Sequence, residues 1–346
     1  MRCDSIARVV VLVSSAVLLA ACGSSYHFDR LPRSLSDEEF SRVMTSWSEA
    51  PGAFPHSDNL VSNETDYANT ISLLRPRGGA YIGVGPEQNF SYIARIQPEI
   101  AFIVDVRREN LALHLLYKAL FELSLDRSEF VSRLFSREKP SGLGEGSSAQ
   151  ELFAKYASAP ASAERLEATK RTVRYHLLEN HAFAVSAEDL AWIDRALTHF
   201  FSAGPEVRYA SPAVDTASRP SYRSLMTMPD VKGTARSYLA SERSFAFVKR
   251  MHARNMIVPV VGDFSGPTAL RRIGEYIRRH GGLVSAFYSS NVDVYLSKQQ
   301  SLAFCANLDA LPSHSQTWFI HSKGIRLLPA KLASCLFKPG RPGTTR

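Results

Sequence analysis

Ile100-Ala101-Phe102-Ile103-Val104 is an apolar run without polar alternation, and it ends on Asp105. A strand open to water on one face alternates, so an unbroken run fits a strand covered on both faces, as in parallel sheets. Upstream, Ala80-Tyr81-Ile82-Gly83-Val84-Gly85 reads as a short buried strand. Pro86 suits the first turn of a helix, Phe90, Ile93 and Ala94 supply its packing face, and Pro98 stops it. Leu113, Leu116, Leu120 and Leu123 place another helix after Asp105. Such a β-α-β-α unit builds a parallel sheet with right-handed crossovers. The expected fold is therefore α/β, a Rossmann-like, mostly parallel sheet flanked by helices.

The remaining chain extends this pattern and interrupts it once. Ser36 with Glu39 forms a capping box before Phe40, Val43, Met44 and Trp47, and residues 57–64 read as a loop. From about 126 to 220 the spacing of Leu152, Phe153, Tyr156, Leu190, Ile193, Leu197 and Phe200 predicts a helical insertion, with a surface loop at 139–148. Met256 to Val261 returns to strand pattern, and Pro259 assigns it to a sheet edge or a bulge. A helix with Leu270, Ile273 and Ile277 ends at Gly281-Gly282. The run Leu283 to Tyr288 is a further strand, a helix is expected from about Asn291, and Thr317 to Ile320 reads as the last strand.

At the amino end, Arg2 and Arg8 precede an apolar run from Val9 that closes on Leu19-Ala20-Ala21-Cys22. The run is too short to span a bilayer well and matches a secretory signal. Cysteine directly after Leu-Ala-Ala resembles a bacterial lipobox, which implies cleavage before Cys22 and its lipidation; an ordinary signal peptide or a buried helix is the plainer alternative. The expected organisation is a signal at 1–21, a tether at 22–34, one domain at 35–330 and a tail at 331–346. The resemblance implies export and anchoring to a bacterial membrane, on the periplasmic face of the outer membrane.

Composition narrows the function. With 45% hydrophobic and 21% charged residues the chain is a globular one. Without residues 1–21 it carries 39 basic and 32 acidic residues, but the positives are scattered in pairs such as Arg107-Arg108 and Arg278-Arg279. No basic block or aromatic-interleaved stripe points to nucleic acid. Cys305 and Cys335 are the thiols that remain beyond Cys22, and their separation leaves pairing and separate burial equally open. No metal site is expected. His176 and His181 are five apart, a spacing that does not stack two side chains on one α-helical face.

Candidate site residues lie after the strands, because an open α/β sheet binds ligands outside its carboxyl ends. Gly83 and Gly85 turn into a helix whose N–H groups can face an anion, and Asp105, 20 residues beyond Gly85, is placed for ribose hydroxyls. Alternatively the glycines only permit a tight turn and Asp105 pairs with a nearby arginine; Arg107, in the same turn after the second strand, is a further binding candidate. Glu87 is the acid best placed to reach a ligand, unless it is a solvated first-turn residue. Asn89 belongs to the same turn. Asp263 is the candidate catalytic acid, or else it or Ser265 caps the next helix. Tyr288, Ser290 and Asn291 are rim candidates, although Ser290 or Asn291 would serve equally as a cap. Gly262-Asp263-Phe264-Ser265-Gly266 is not a serine-hydrolase elbow, since the serine stands at the wrong position.

Two blocks carry a resemblance. One runs from Asp58-Asn59-Leu60 through Tyr81-Ile82-Gly83-Val84-Gly85-Pro86-Glu87-Gln88-Asn89-Phe90 to Asp105-Val106-Arg107-Arg108-Glu109-Asn110. The other runs from Ser237-Tyr238-Leu239 through Val258-Pro259-Val260-Val261-Gly262-Asp263-Phe264 to Ala286-Phe287-Tyr288-Ser289-Ser290-Asn291-Val292. They resemble an uncharacterised bacterial family with a fold like that of class I S-adenosylmethionine-dependent methyltransferases. The likeness implies S-adenosylmethionine as cofactor, Gly83 and Gly85 as its loop glycines, Asp105 as the ribose acid and Asp263 as the polar end of the fourth strand. Tyr81 replaces the acid usual two residues before the first glycine, and Glu87 replaces the third glycine. Adenosylmethionine is a cytoplasmic metabolite, which an exported lipoprotein would seldom meet. Two functions follow: a methyltransferase-like domain that binds a nucleoside-like small ligand, its reaction undefined, or a non-catalytic envelope module that uses its helical insertion to bind a partner. Neither requires nucleic acid.

Overall fold

Five parallel strands and one antiparallel strand form a single sheet in the order β3-β2-β1-β4-β5-β6. In this computed structural model residues 30–54, 59–211, 215–322 and 324–328 are described. The signal, Cys22, Cys335 and residues 331–346 lie outside them. The strands are β1 (Ala80–Gly83), β2 (Ile100–Asp105), β3 (Ile257–Val261), β4 (Val284–Ser290), β5 (Thr317–His321) and β6 (Gly324–Leu328). Ile82 of β1 pairs with Phe102 of β2 on one side and Phe287 of β4 on the other, both in parallel. Every residue of β1, β2 and β3 is buried, as their unbroken apolar runs require. The α/β, Rossmann-like reading is thereby established.

Pro259 sits where its missing N–H can be tolerated, because β3 has β2 as its sole strand neighbour. Its outer side is covered from α1 (Asp37–Ser46), which starts with the expected Ser36/Glu39 capping box. Just past α1, the Glu49 N–H donates to the Val261 carbonyl (2.8 Å), and the Val261 N–H donates to Ser48 Oγ (2.9 Å). The chain enters at the opposite end of the sheet. There Leu31 packs on Gly282, just before β4, and the Leu35 N–H donates to Arg254 O, just before β3 (3.0 Å).

Helix α4 (Arg108–Leu123) is buried without a break from Asn110 to Phe121. Such a helix has no solvated face, and its buried Asn110, His114 and Lys118 stand among apolar residues on every side. It lies between the sheet and a helical insertion built of α5 (Arg127–Phe135), α6 (Ala149–Ser158), α7 (Ala163–Tyr175), α8 (Ala187–Ala203) and α9 (Tyr222–Thr227), and it packs against α8 and against α10 (Glu242–Ala253). Phe90 of α3 (Gln88–Ile96) centres the shared core, meeting Tyr117, Phe121 and Tyr238 edge-on at 5.2–5.4 Å between ring centroids.

Three local features depart from the sequence reading. A short helix, α2 (Tyr67–Leu73), follows the 59–64 loop, held in place by a Tyr67 hydroxyl that donates to Leu225 O. The helix expected at Asn291 is a single 3-10 turn (Val292–Tyr295), and α12 (Lys298–Asp309) starts only at a capping box of its own, Ser297 with Gln300. Strand β5 is not the last, since β6 returns beside it antiparallel. Among the described residues no helix is long and apolar enough to cross a membrane.

Candidate functional site

The strand order reverses between β1 and β4, and at the carboxyl ends of these strands a cleft of about 220 Å³ opens. Gly85, Asp105, Arg107, Asp263, Tyr288 and Asn291 line it, so four strand ends converge as the sequence predicts. Gly83, Glu87 and Asn89 do not.

The reason lies in how the glycine turn is locked. Asn89 is fully buried, and its amide donates to the carbonyls of Val84 (2.9 Å), Gly85 (3.1 Å) and Pro86 (2.8 Å). Its Oδ1 accepts from the Tyr81 hydroxyl at 2.8 Å. Tyr81, in place of the acid usual there, is thus part of the lock. A Cβ on Gly83 would stand 2.0 Å from Asn89 Oδ1 and 2.7 Å from the Tyr81 ring, so this glycine is required by the lock rather than by a ligand. Gly85 has φ +79°, a left-handed conformation suited to glycine, and its carbonyl also meets His114 Nε2 at 2.9 Å. Burial pushes the His114 imidazole down to about 4, so at neutral pH it is uncharged and donates there through Nε2–H.

Glu87 is neither solvated nor at the cleft. It is fully buried, and its carboxylate accepts the Ser62 N–H at 3.1 Å. Burial raises its pKa from 4.5 to about 7, against the lowering effect of that hydrogen bond. The folded state keeps this proton at pH values where the unfolded chain has lost it. Its contribution to stability is complete below about pH 4.5 and is lost as pH rises through about 7. At 1.36 kcal/mol per unit that amounts to about 3 kcal/mol. The Glu87→Gln variant is expected to lack this decline, gaining about 3 kcal/mol on the wild type between pH 5 and pH 8 in urea titrations. An equal pH dependence in the two proteins would show that the carboxyl does not titrate in that range.

On the cleft wall, Asp105 is paired with Arg107. The guanidinium donates through Nε to Oδ1 (2.9 Å) and through Nη2 to Oδ2 (2.7 Å), and the Arg107 N–H adds a third bond to Oδ1 (3.0 Å). This is the plainer of the two readings of Asp105. The cleft meets a forked ion pair there, and a ribose would have to share the carboxylate with it. Asp263 follows the edge strand β3, not the strand beside β1 as the methyltransferase likeness implies. Its Oδ1 accepts from the Ser265 N–H (2.7 Å) and hydroxyl (2.8 Å), tying up its own turn. Neither residue caps α11 (Ala269–Arg279). Glu49 does, its Oε1 accepting from the Thr268 and Ala269 N–H groups (2.8 and 2.9 Å) and its Oε2 from that of Asp263 (3.0 Å).

The end of β4, which does lie beside β1, carries Tyr288, Ser290 and Asn291. Facing them is an acid that sequence reasoning missed. Glu64 accepts from Gln88 Nε2 (3.0 Å) and from the Ser290 hydroxyl. Burial holds its carboxyl above the ordinary range, against the hydrogen bonds of Ser290, Tyr288 and Gln88. Asn59 and Ser290, both lining the cleft, have φ of +50° and +51°, which non-glycine residues adopt at some cost. Across the mouth the rings of Phe54 and Tyr295 meet edge-on at 5.0 Å, with the Arg107 guanidinium 5.7 Å from the Phe54 ring.

Residues 59–331 match the family described as a domain of unknown function, DUF7790. The chain belongs to that family. No curated protein matches the chain. The DUF7790 span contains the sheet, Glu64 and every cleft residue anticipated from sequence, whereas Glu49 and Phe54 lie ahead of it. Chemically, the DUF7790 cleft sets one acid with raised affinity for its proton, one arginine-carboxylate fork and an aromatic wall around a volume suited to a small molecule.

Proposed function

We propose that the chain is an exported lipoprotein, held to a membrane by a lipidated Cys22, whose methyltransferase-like Rossmann domain binds a nucleoside-like small ligand. The observation that carries this reading is the position of the cleft, at the strand-order reversal where doubly wound sheets hold nucleotides. The aromatic wall suits a planar base, and Glu64 and the Asp105–Arg107 fork suit the polar groups of a sugar or an amino-acid moiety. S-adenosylmethionine is the ligand to which the family likeness points. The reading assigns binding and no reaction.

Calorimetry with adenosylmethionine, adenosylhomocysteine and adenosine tests it. Heat of binding is expected for at least one, with affinity falling at least about 10-fold, or 1.4 kcal/mol, in Asp105→Ala. Absence of heat from all three, or equal affinity in the variant, would sink the nucleoside reading. Anchoring is tested separately: Cys22→Ser should lose acyl labelling and leave the membrane fraction, and unchanged membrane association would count against the lipoprotein.

A further inference from the structure

Far from the strand ends, α1, α4 and the turn after α7 bring a carboxylate and two imidazoles to one point. After α7 the chain makes a single turn of π-helix, His176–Asn180, closed by a His181 N–H that donates to His176 O (3.2 Å). An α-helix separates residues five apart, but a π turn hydrogen-bonds residue i to i+5 and so superposes them. His176 Nε2 and His181 Nε2 both reach Glu122 Oε2, at 2.7 and 2.8 Å, and the three atoms lie within 4.8 Å of one another. The other oxygen of Glu122 is taken by Lys118 Nζ (2.6 Å).

We propose that Glu122, His176 and His181 bind a divalent transition-metal ion of the zinc class, with solvent as a fourth ligand. Two imidazoles and a monodentate carboxylate are the donor set such ions favour. The outer partners are also in place. His181 Nδ1 lies 2.9 Å from Asp37 Oδ1, so its Nδ1–H is held by a carboxylate and its Nε2 lone pair is left for a metal. Asp37 is itself fixed by Asn255 Nδ2 (2.8 Å), whereas His176 Nδ1 accepts from Asn180 Nδ2 (3.1 Å), an amide that has to turn over and present its oxygen when His176 binds an ion through Nε2. The three ligand side chains are 8–17% exposed, enough for an ion and a water molecule to enter. Metal bonds of about 2.1 Å set tetrahedral ligand atoms about 3.4 Å apart, so each imidazole–carboxylate distance has to open by about 0.6–0.7 Å. An ion can bind only once each Nε2 has released any proton that it donates to Glu122 Oε2.

The full chain, purified in detergent and stripped with chelator, should take up one Zn²⁺ per chain in equilibrium dialysis. His176→Ala and His181→Ala should each abolish stoichiometric uptake, and Asp37→Asn should weaken it about 10- to 100-fold. No uptake, or uptake that both histidine variants retain, overturns the site. Should the variants fail to fold, Co²⁺ on the unaltered chain decides: intense visible bands of four-coordinate Co²⁺ support the proposal, and the pale spectrum of the hydrated ion refutes it.

Discussion

Replacing Gly83 with alanine is expected to lower stability by about 3–5 kcal/mol. The new methyl would meet Asn89 Oδ1 at 2.0 Å. A side-chain oxygen usually moves aside at little cost, but this amide binds three carbonyls and the Tyr81 hydroxyl in a fully buried setting. Displacing it strands several polar groups, each costing about 1–3 kcal/mol. Urea midpoints measure the loss. In an Asn89→Ala, Tyr81→Ala background, where both close neighbours of the new methyl are gone, the same substitution should cost far less. A full cost in that background, or a midpoint unmoved in the single variant, would mean that the lock is not what requires glycine.

Arg107→Ala is expected to cost about 3–5 kcal/mol as well, by a different mechanism. Asp105 and Arg107 are 5% and 6% exposed, so the substitution leaves a buried carboxylate without its fork. Removing both partners together, as Asp105→Asn with Arg107→Met, should recover most of that loss, because a buried pair contributes little net stability over neutral packing. A double-mutant cycle at pH 7.5 in urea reads this directly. Additive costs would show that the two side chains act independently and that the fork is not the unit facing the cleft.

How much of this was legible in the sequence depended on the distance over which each feature is determined. The strands show themselves through uninterrupted apolar runs, and Pro259 gives away its edge position, because both signals are local. The cleft residues at Gly85, Asp105 and Asn291 follow from the rule that strands end at the ligand side. Glu87 misled because a first-turn glutamate normally meets water, whereas here the turn is covered by the Ser62 loop, with Tyr222 of the insertion and Tyr238 beyond it close by. Glu64 and Glu49 had no local signal, since they meet their partners across 226 and 220 residues of chain. The five-residue spacing of His176 and His181 was judged by the α-helical period, and the π turn has another.

The entry of the chain has a directional consequence. Leu31 and Leu35 touch the sheet where β4 and β3 begin, and parallel strands share one polarity, so the cleft lies at the opposite pole. Only eight residues separate Leu31 from Cys22 on the anchoring side. If Cys22 is lipidated as proposed, the anchored pole of the domain and the pole of its cleft are different. Ligands would then come from the aqueous compartment, and the bilayer would neither shade the opening nor deliver anything into it.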